Sequence, residues 1–507
     1  MNPLHLWLVA LAITLAVPGC DGGEQKRGEG LAVTVLYPTT DERGLGPEYD
    51  SPAQFLMFLP LVARNAQGQL EGRLAKSWEP APDYQTWTIH LREDVRWHDG
   101  VPVTAHDIEF SMRLLSRPDV GYLAPGAVSI SVLDDYAFTY TSSTATPLSD
   151  YRTYYPKHLL ENLDPTRMYE WDFWTQPVGN GPYRYVRHLP KTMMELEVNP
   201  DYVIGTPRVQ NVILKFGPSS LAELLSGNVD VLADVNPMQL LKLSEDPRFR
   251  RFDMRTPAVT TFYWNHRREL FRNAKVRRAL TLAINRRELL GVLNLPPDLP
   301  VFDVIFAQQH WNSLPDALPH DPELSRRLLE EVGWHDADGD GIRDREGVPF
   351  QFEVLVTEQE EREAVYIQNQ LREIGVQMDI TRRSEWVQVF HQIREGEFEA
   401  AISRFLMELP STMGQLRFFG EDNYIGYQNG RVSELLAMGA DTQNPHTLDT
   451  IYLELMDIFQ VDLPVIFLHP VTSTHIVRRH LAGLSSPHRA DPVWYMEHIR
   501  LEDSVSR

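Results

Sequence analysis

Few residues in this chain have the types and spacing that chemistry needs. Asp336, Asp338 and Asp340, followed by Gly341 and Asp344, alternate as in a calcium loop, where carboxylate oxygens surround a hard cation. The twelfth position of such a loop calls for a bidentate Glu. Here it is Gly347, with Glu346 one residue early. The stretch therefore reads as an Asp/Gly turn, with a calcium site as the alternative. Nucleophile, zinc and phosphate signatures are missing: there is no Gly-x-Ser-x-Gly, no His-Glu-x-x-His and no Gly-x-x-x-x-Gly-Lys. The 17 histidines are scattered without metal-ligand spacing, and His98 and His106 read as structural or surface groups. No catalytic residue, cofactor or resident metal is expected.

The other reactive side chain is Cys20, the single cysteine of 507 residues. It follows an apolar run, Leu4 to Val17, that is too short for a comfortable membrane span and has the length of a signal-peptide core. Val17-Pro18-Gly19-Cys20 looks like a bacterial lipobox, in which the cysteine is lipidated and becomes the mature N-terminus. Pro18 and the absence of Lys or Arg before the run depart from that pattern. The expectation is a signal peptide over 1–19, lipidation at Cys20 and a polar, Gly-rich tether over 20–30. With one cysteine there is no internal disulfide. A net charge of -22 repels polyphosphate, so a nucleic-acid partner is not expected.

The elements that would position a site alternate between strands and helices. Leu31 to Tyr37 reads as a strand ended by Pro38, and Ala53 to Val62 as a helix. Trp87, Ile89 and Leu91 alternate, as do Val95 and Trp97, which predicts a hairpin, with Asp99-Gly100 as a turn. Thr104 and Asp107 start a helix whose buried stripe is Ile108, Met112 and Leu115. Near Thr256 to Asn265 the chain is expected to change lobes through a strand. Beyond it, Asp321-Pro322 starts a helix and Phe352 to Val356 is a strand. Glu361 to Ile374 is a helix stopped by Gly375, and Val376 to Ile380 is a strand. Ser384 caps a helix to Glu395, and Phe398 to Ile402 is a strand. Helices after Gly430 and from Thr447 precede a buried strand at Leu463 to Leu468. Strand-helix-strand alternation of this kind implies a sheet with crossover helices.

Within this framework a series of words occurs in order. They are Leu74-Ala75-Lys76-Ser77-Trp78-Glu79, then Val95-Arg96-Trp97-His98-Asp99-Gly100, and Pro102-Val103-Thr104-Ala105-His106-Asp107. Pro156-Lys157-His158-Leu159-Leu160, Gly179-Asn180-Gly181-Pro182-Tyr183 and Asn199-Pro200-Asp201-Tyr202 follow. The last are Ser226-Gly227-Asn228-Val229-Asp230 and Val276-Arg277-Arg278-Ala279-Leu280. The order resembles that of family 5 extracellular solute-binding proteins, the receptors of peptide-type ABC importers.

The resemblance implies an α/β, two-lobed, periplasmic-binding-protein-like fold of type II with an extra subdomain in lobe I. Lobe I would span 31–257, with the insertion at about 50–180; lobe II would span 258–475, and 476–507 would return to lobe I. It implies a monomer in the periplasm, held on the membrane as a lipoprotein, that captures a peptide and delivers it to ABC permease subunits with their ATPase. In peptide-binding relatives a lobe II segment supplies an aromatic residue and an acid for the peptide's α-ammonium. The corresponding segment here is Phe398 to Pro410, in a loop about two residues short without the usual Trp and Asp; counting from Phe398 places Phe405 at the aromatic position and Glu408 at the acid, whereas counting back from Pro410 places Leu406 there instead. Arg404 could pair with a ligand carboxylate, and Tyr37 is a further candidate by its place at the end of the first strand. A non-peptide solute (a sugar oligomer, an opine or a metal chelate) is the alternative in the same class. A hydrolase and a chaperone or sensor lipoprotein are the alternatives outside it.

Overall fold

The computed structural model describes residues 31–37, 52–64, 70–82, 84–117, 128–142, 153–205, 207–218, 220–235, 240, 243, 246–304, 314–406, 419, 423–440, 442, 444–483 and 499–501. The expected signal core, Cys20, the tether and Glu408 lie outside them. Among the described residues no helix is long and apolar enough to cross a membrane.

The chain opens on β1 (Leu31–Tyr37), then α1 (Pro52–Met57). The expected helix to Val62 stops early. Asn180 Oδ1 accepts the Leu59 N–H at 2.8 Å, and Val62–Arg64 pairs with Leu70–Gly72 as a short ribbon. β2 (Ala75–Pro80), β3 (Thr86–Leu91), α2 (Ala105–Leu115), β4 (Val128–Asp134) and β5 (Ala137–Ser142) follow. Trp87, Ile89 and Leu91 are buried, as their alternation requires. Their partner is not the Val95–Trp97 run, however. β3 lies between β2 and β5 in a four-stranded sheet of order β2-β3-β5-β4. The Leu91 N–H goes to Tyr136 O at 2.7 Å and the Arg92 N–H to Leu74 O at 2.9 Å, so the chain turns away before Val95 can pair. Gly100 takes φ +91° in the turn, as Asp-Gly predicts.

Next come β6 (Tyr183–Leu189), β7 (Met193–Val198), β8 (Val209–Phe216), β9 (Val231–Leu232) and β10 (Phe249–Trp264). The second half carries α3 (Ala274–Ala283), α4 (Pro322–Glu331), β11 (Gln351–Val356), α5 (Glu361–Glu373), β12 (Gln377–Arg382) and α6 (Trp386–Glu395). β13 (Ala400–Leu406), α7 (Gly430–Ala440), α8 (Pro445–Asp462) and β14 (Val465–Arg478) complete it. Asp321 caps α4 through the Leu324 N–H at 2.8 Å, and Gly375 takes φ +81° after α5. Glu385, not Ser384, stands at the N-cap of α6, because the Ser384 hydroxyl turns to Gln388.

A ten-stranded sheet of order β12-β11-β13-β10-β14-β9-β1-β8-β7-β6 runs through both halves. Two strands are shared by both halves. β10 and β14 pair antiparallel from Phe249↔Arg478 to Arg255↔Thr472, lose register, and pair again from Val259↔Pro470 to Tyr263↔Val465. A proline on each strand, Pro257 and Pro470, lies at this break. Proline has no N–H for the ladder, so pairing is weakest there. Thr256 Oγ1 bridges the gap by donating to Val471 O at 3.0 Å.

Apolar side chains separate at the same break. Before it on β10, and after it on β14, Phe249, Ile476 and Val477 join cores built on Val33, Val35, Leu36, Val212 and Leu232. On the far side Val259, Phe262, Tyr263, Trp264, Ile466 and Phe467 join cores with Val354, Leu355, Ala400 and Ile402. Each half is covered on both sheet faces, which is why the central strands read as continuous apolar runs. Each fully buried large side chain there, such as Phe262 or Trp264, contributes roughly 1.5–3 kcal/mol by leaving water.

Candidate binding face at the strand ends

In open α/β sheets ligands bind outside the carboxyl ends of the parallel strands, where helix N-termini and loops converge. This chain has two such ends. In the first half β1 runs parallel to β8 and β9, ending at Tyr37, Phe216 and Leu232. In the second half β11 runs parallel to β12 and β13, ending at Val356, Arg382 and Leu406.

The first end is mostly packed. Tyr37 is buried in the core, with its ring stacked on Phe216 at 6.3 Å. Asp234, just past β9 with φ +46°, is exposed and meets β14 near the register break. Its N–H donates to His475 Nδ1 at 3.3 Å, and the Ser473 hydroxyl donates to its Oδ1. Ser473 Oγ is also 3.0 Å from His475 Nε2. This Asp-Ser-His trio has the composition of a nucleophilic triad but the wrong polarity. With Nδ1 accepting a backbone N–H, the neutral ring carries its hydrogen on Nε2 and points it at Ser473. A general base needs the lone pair there, so the trio does not activate Ser473.

The second end is charged. β13 extends to Leu406, so Arg404 and Phe405 are strand residues rather than members of the loop expected after Ile402. Phe405 pairs with Val259 across the ladder. One rung crosses three strands: Arg404 on β13 faces Thr260 on β10, and Thr260 faces His469 on β14. The rung meets the first turns after β11. Thr357 takes the Gln359 N–H and gives its hydroxyl to Glu360, a buried acid whose other oxygen is 3.5 Å from Arg404 Nε. Arg404 itself is exposed. In the first turn of α5, Glu363 is 7% exposed, and its Oε1 is 3.3 Å from Nε2 of His469, which is 6% exposed. Of the expected ligand residues the structure thus brings Arg404 into a cluster and leaves Tyr37 in a core. Glu360, Glu363 and His469 were missed. Their only signal in the sequence is the run of acids at Glu358, Glu360, Glu361 and Glu363, which reads equally well as favourable charge at a helix N-terminus.

The calcium-like loop lies between α4 and β11. The carboxylates of Asp336, Asp338 and Asp340 come within 4.8 Å of one another, all exposed. Asp336 accepts the Gly339 and Gly341 N–H groups at 2.8 and 3.1 Å, Asp338 that of Asp340 at 3.2 Å, and Asp340 that of Ile342 at 2.7 Å. These are the bonds of an Asp/Gly turn, with Gly339 and Gly341 at positive φ.

The ordered words of the first half hold one another rather than a ligand. The Asp107 carboxylate, at the start of α2, takes the Thr104 N–H at 2.8 Å and the Lys157 N–H at 2.9 Å. His98 accepts the Gly179 N–H at Nδ1 and donates from Nε2 to Gly181 O at 3.1 Å. Burial, with Arg184 nearby, holds its pKa down at about 4, so the ring is neutral. His106 is a surface group 3.6 Å from Asp135. Gly179 and Gly181 allow backbone to touch backbone: a Cβ on them would lie 2.0 Å from Met57 O and 2.6 Å from Leu56 O.

Comparison with known proteins agrees with this architecture. The family model for bacterial extracellular solute-binding proteins, family 5 Middle, matches residues 69–426. The chain is 25% identical over 488 residues to the oligopeptide-binding protein AppA of Bacillus subtilis (strain 168), covering 90% of this chain and 87% of that protein. It is 23% identical over 495 residues to the periplasmic oligopeptide-binding protein OppA of Haemophilus influenzae, covering 88% of each. The structure of AppA from Bacillus subtilis in complex with a nonapeptide aligns with a TM-score of 0.67 at 20% identity, covering 94% of this chain and 99% of that one. NikZ from Campylobacter jejuni in complex with Ni(L-His) aligns with a TM-score of 0.71 at 21% identity, covering 93% and 99%. The matched region spans the four-stranded sheet, the first crossing strand and the charged strand ends. On that extent the chain belongs to the bacterial extracellular solute-binding proteins, family 5.

Proposed function

We propose that this protein is an extracytoplasmic receptor that captures a peptide between two lobes and delivers it to an ABC permease with its ATPase. The observation that carries the reading is the match to the family over 69–426 on a sheet whose halves are joined through β10 and β14. Relatives named as oligopeptide-binding proteins over nearly the whole chain support a peptide as the solute. The lobes divide at Thr256–Ala258 on the way out and at Pro470–Thr472 on the way back. The weakened ladder there is the place for hinge bending, and ligand would favour the closed form.

The receptor performs no chemistry, which fits the reversed polarity of the Ser473–His475 contact. It acts as a monomer, tethered through lipid on Cys20. Phe405 and Glu408 remain the candidate contacts for the peptide's α-ammonium end, and Arg404 that for a carboxylate. Native mass spectrometry of the soluble form lacking residues up to Cys20 tests the reading. A ladder of masses that fragment as peptides is expected. One non-peptide mass would keep the receptor class and overturn the peptide. Release of a Cys20→Ala variant from the membrane fraction of its host would support the anchor; unchanged fractionation would refute it.

A further inference from the structure

The buried charges of the second half differ in how completely they are satisfied. Arg286 and Asp303 form a buried pair at 2.6 Å. Arg286 also donates to Phe302 O and Phe467 O, and Asp303 takes the Leu318 N–H. That pair is closed. Glu363 is not. Its Oε1 meets His469, whose Nδ1 is already committed to Pro470 O at 2.9 Å. Its Oε2 is buried and has no hydrogen-bond partner among the described residues. The neighbouring acid, Glu360, has Thr357 and Arg404, whereas among the described residues Glu363 has no ion pair with Lys or Arg. The N-terminus of α5 favours an acid there but supplies no donor to that oxygen. With Nδ1 donating to Pro470 O, Nε2 meets Oε1 across a proton, so Oε1 is satisfied and the buried Oε2 is the oxygen that calls for a donor. A metal ion is a poor fit, because among the described residues only Asp336, Asp338 and Asp340 gather three ligand atoms within 4.8 Å. Position also points to the solute: His469 lies on β14 beside the register break, and Glu363 lies one turn past the carboxyl end of β11.

We infer that Glu363 is the selectivity-determining acid of the binding face, receiving through Oε2 the ammonium or guanidinium of a basic side chain in the bound peptide. This rests on the peptide reading above. Arg404, exposed beside this rung, pairs with Glu360 and leaves Oε2 of Glu363 as the oxygen open to a donor from the ligand.

The test is calorimetric titration of the soluble chain lacking residues up to Cys20. The probes are alanine peptides of graded length carrying lysine at one position, and matched peptides carrying norleucine. The lysine series is expected to bind about tenfold tighter, the worth of one charge-assisted hydrogen bond. Glu363→Gln should abolish the difference. Should that variant fail to fold, Glu363→Asp, which keeps the charge but shortens the reach, is expected to narrow the lysine preference. Equal binding of the two series by the native chain, or a lysine preference that survives Glu363→Gln, would overturn the inference while leaving the peptide reading intact. Binding of neither series would overturn the peptide reading and this inference with it.

Discussion

The two strand ends of this molecule have the same topology and opposite character. At the end of β1 and β8 the side chains close on one another: Tyr37 stacks on Phe216 inside a core. At the end of β11 and β13 they do not close: Glu360, Glu363, Arg404 and His469 gather polar groups at one rung and leave one buried carboxylate oxygen without a donor among the described residues. The first half also carries most of the ordered words, and there Asp107, His98, Asn180, Gly179 and Gly181 bind backbone of their own chain. The difference teaches that recurrent words in such a receptor mark where backbone must meet backbone, whereas the surface that meets a variable ligand carries no fixed word.

If so, disturbing the first half should cost stability, and disturbing the charged rung should cost binding. The largest effect is expected for Gly179→Ala, whose Cβ would lie 2.0 Å from Met57 O. Neither backbone can yield cheaply, and a loss of about 3 kcal/mol or more is expected in urea unfolding. A neutral result would break the comparison.

Acid should act through the same place. His98 has its pKa lowered to about 4 in the folded chain, against 6.5 when unfolded, chiefly by burial. His266 is lowered in the same direction, to about 3 and again chiefly by burial. In the window between these values the unfolded chain binds more protons. Stability from His98 is therefore present above about pH 6.5 and lost as pH falls toward 4, by roughly 3 kcal/mol in all. Urea unfolding of the native chain and of His98→Gln across that range checks it: the variant should show a shallower slope, and equal slopes would refute the assignment.

Arg404→Ala should shift unfolding by no more than about 0.5 kcal/mol, since its ion pair is half exposed and long. It should change peptide affinity severalfold by calorimetry. A large stability loss with unchanged affinity would place Arg404 in the scaffold and remove the contrast between the two ends. The smallest effect is expected at the Asp336–Asp340 loop. Millimolar calcium should leave Tm unchanged, because the loop's own N–H groups already occupy the carboxylates. A rise in Tm that Asp338→Asn abolishes would show a calcium site.

Much of the fold is written locally. The bounds of β1, the Asp321-Pro322 start of α4, the Gly375 stop after α5 and the buried stripe of α2 follow from alternation, capping and turn chemistry. These depend on neighbours a few residues away, and a sequence displays such neighbours directly. The cap expected at Ser384 failed locally, its hydroxyl going to Gln388, but the larger failures were non-local. The Val95–Trp97 run lost its expected partner because β5, some forty residues on, takes that edge of β3. The helix after Ala53 ended early because Asn180, 121 residues distant from Leu59, takes its N–H.

The candidate site divides in the same way. Arg404 was named as a candidate because it stands in the segment, Phe398 to Pro410, that corresponds by position to a ligand-contacting segment of peptide-binding relatives. Glu363 and His469 are 106 residues apart and belong to no common word. Only the antiparallel pairing of β10 with β13 and β14 sets Arg404, Thr260 and His469 on one rung and brings α5 against it. The sequence by itself determined the family, the element order and the short-range caps and turns, since these are properties of order and near spacing. Tertiary structure decided where two core systems part on shared strands, and which carboxylate oxygen is left without a donor among the described residues. Both depend on register between strands far apart in the chain, and no local pattern encodes it.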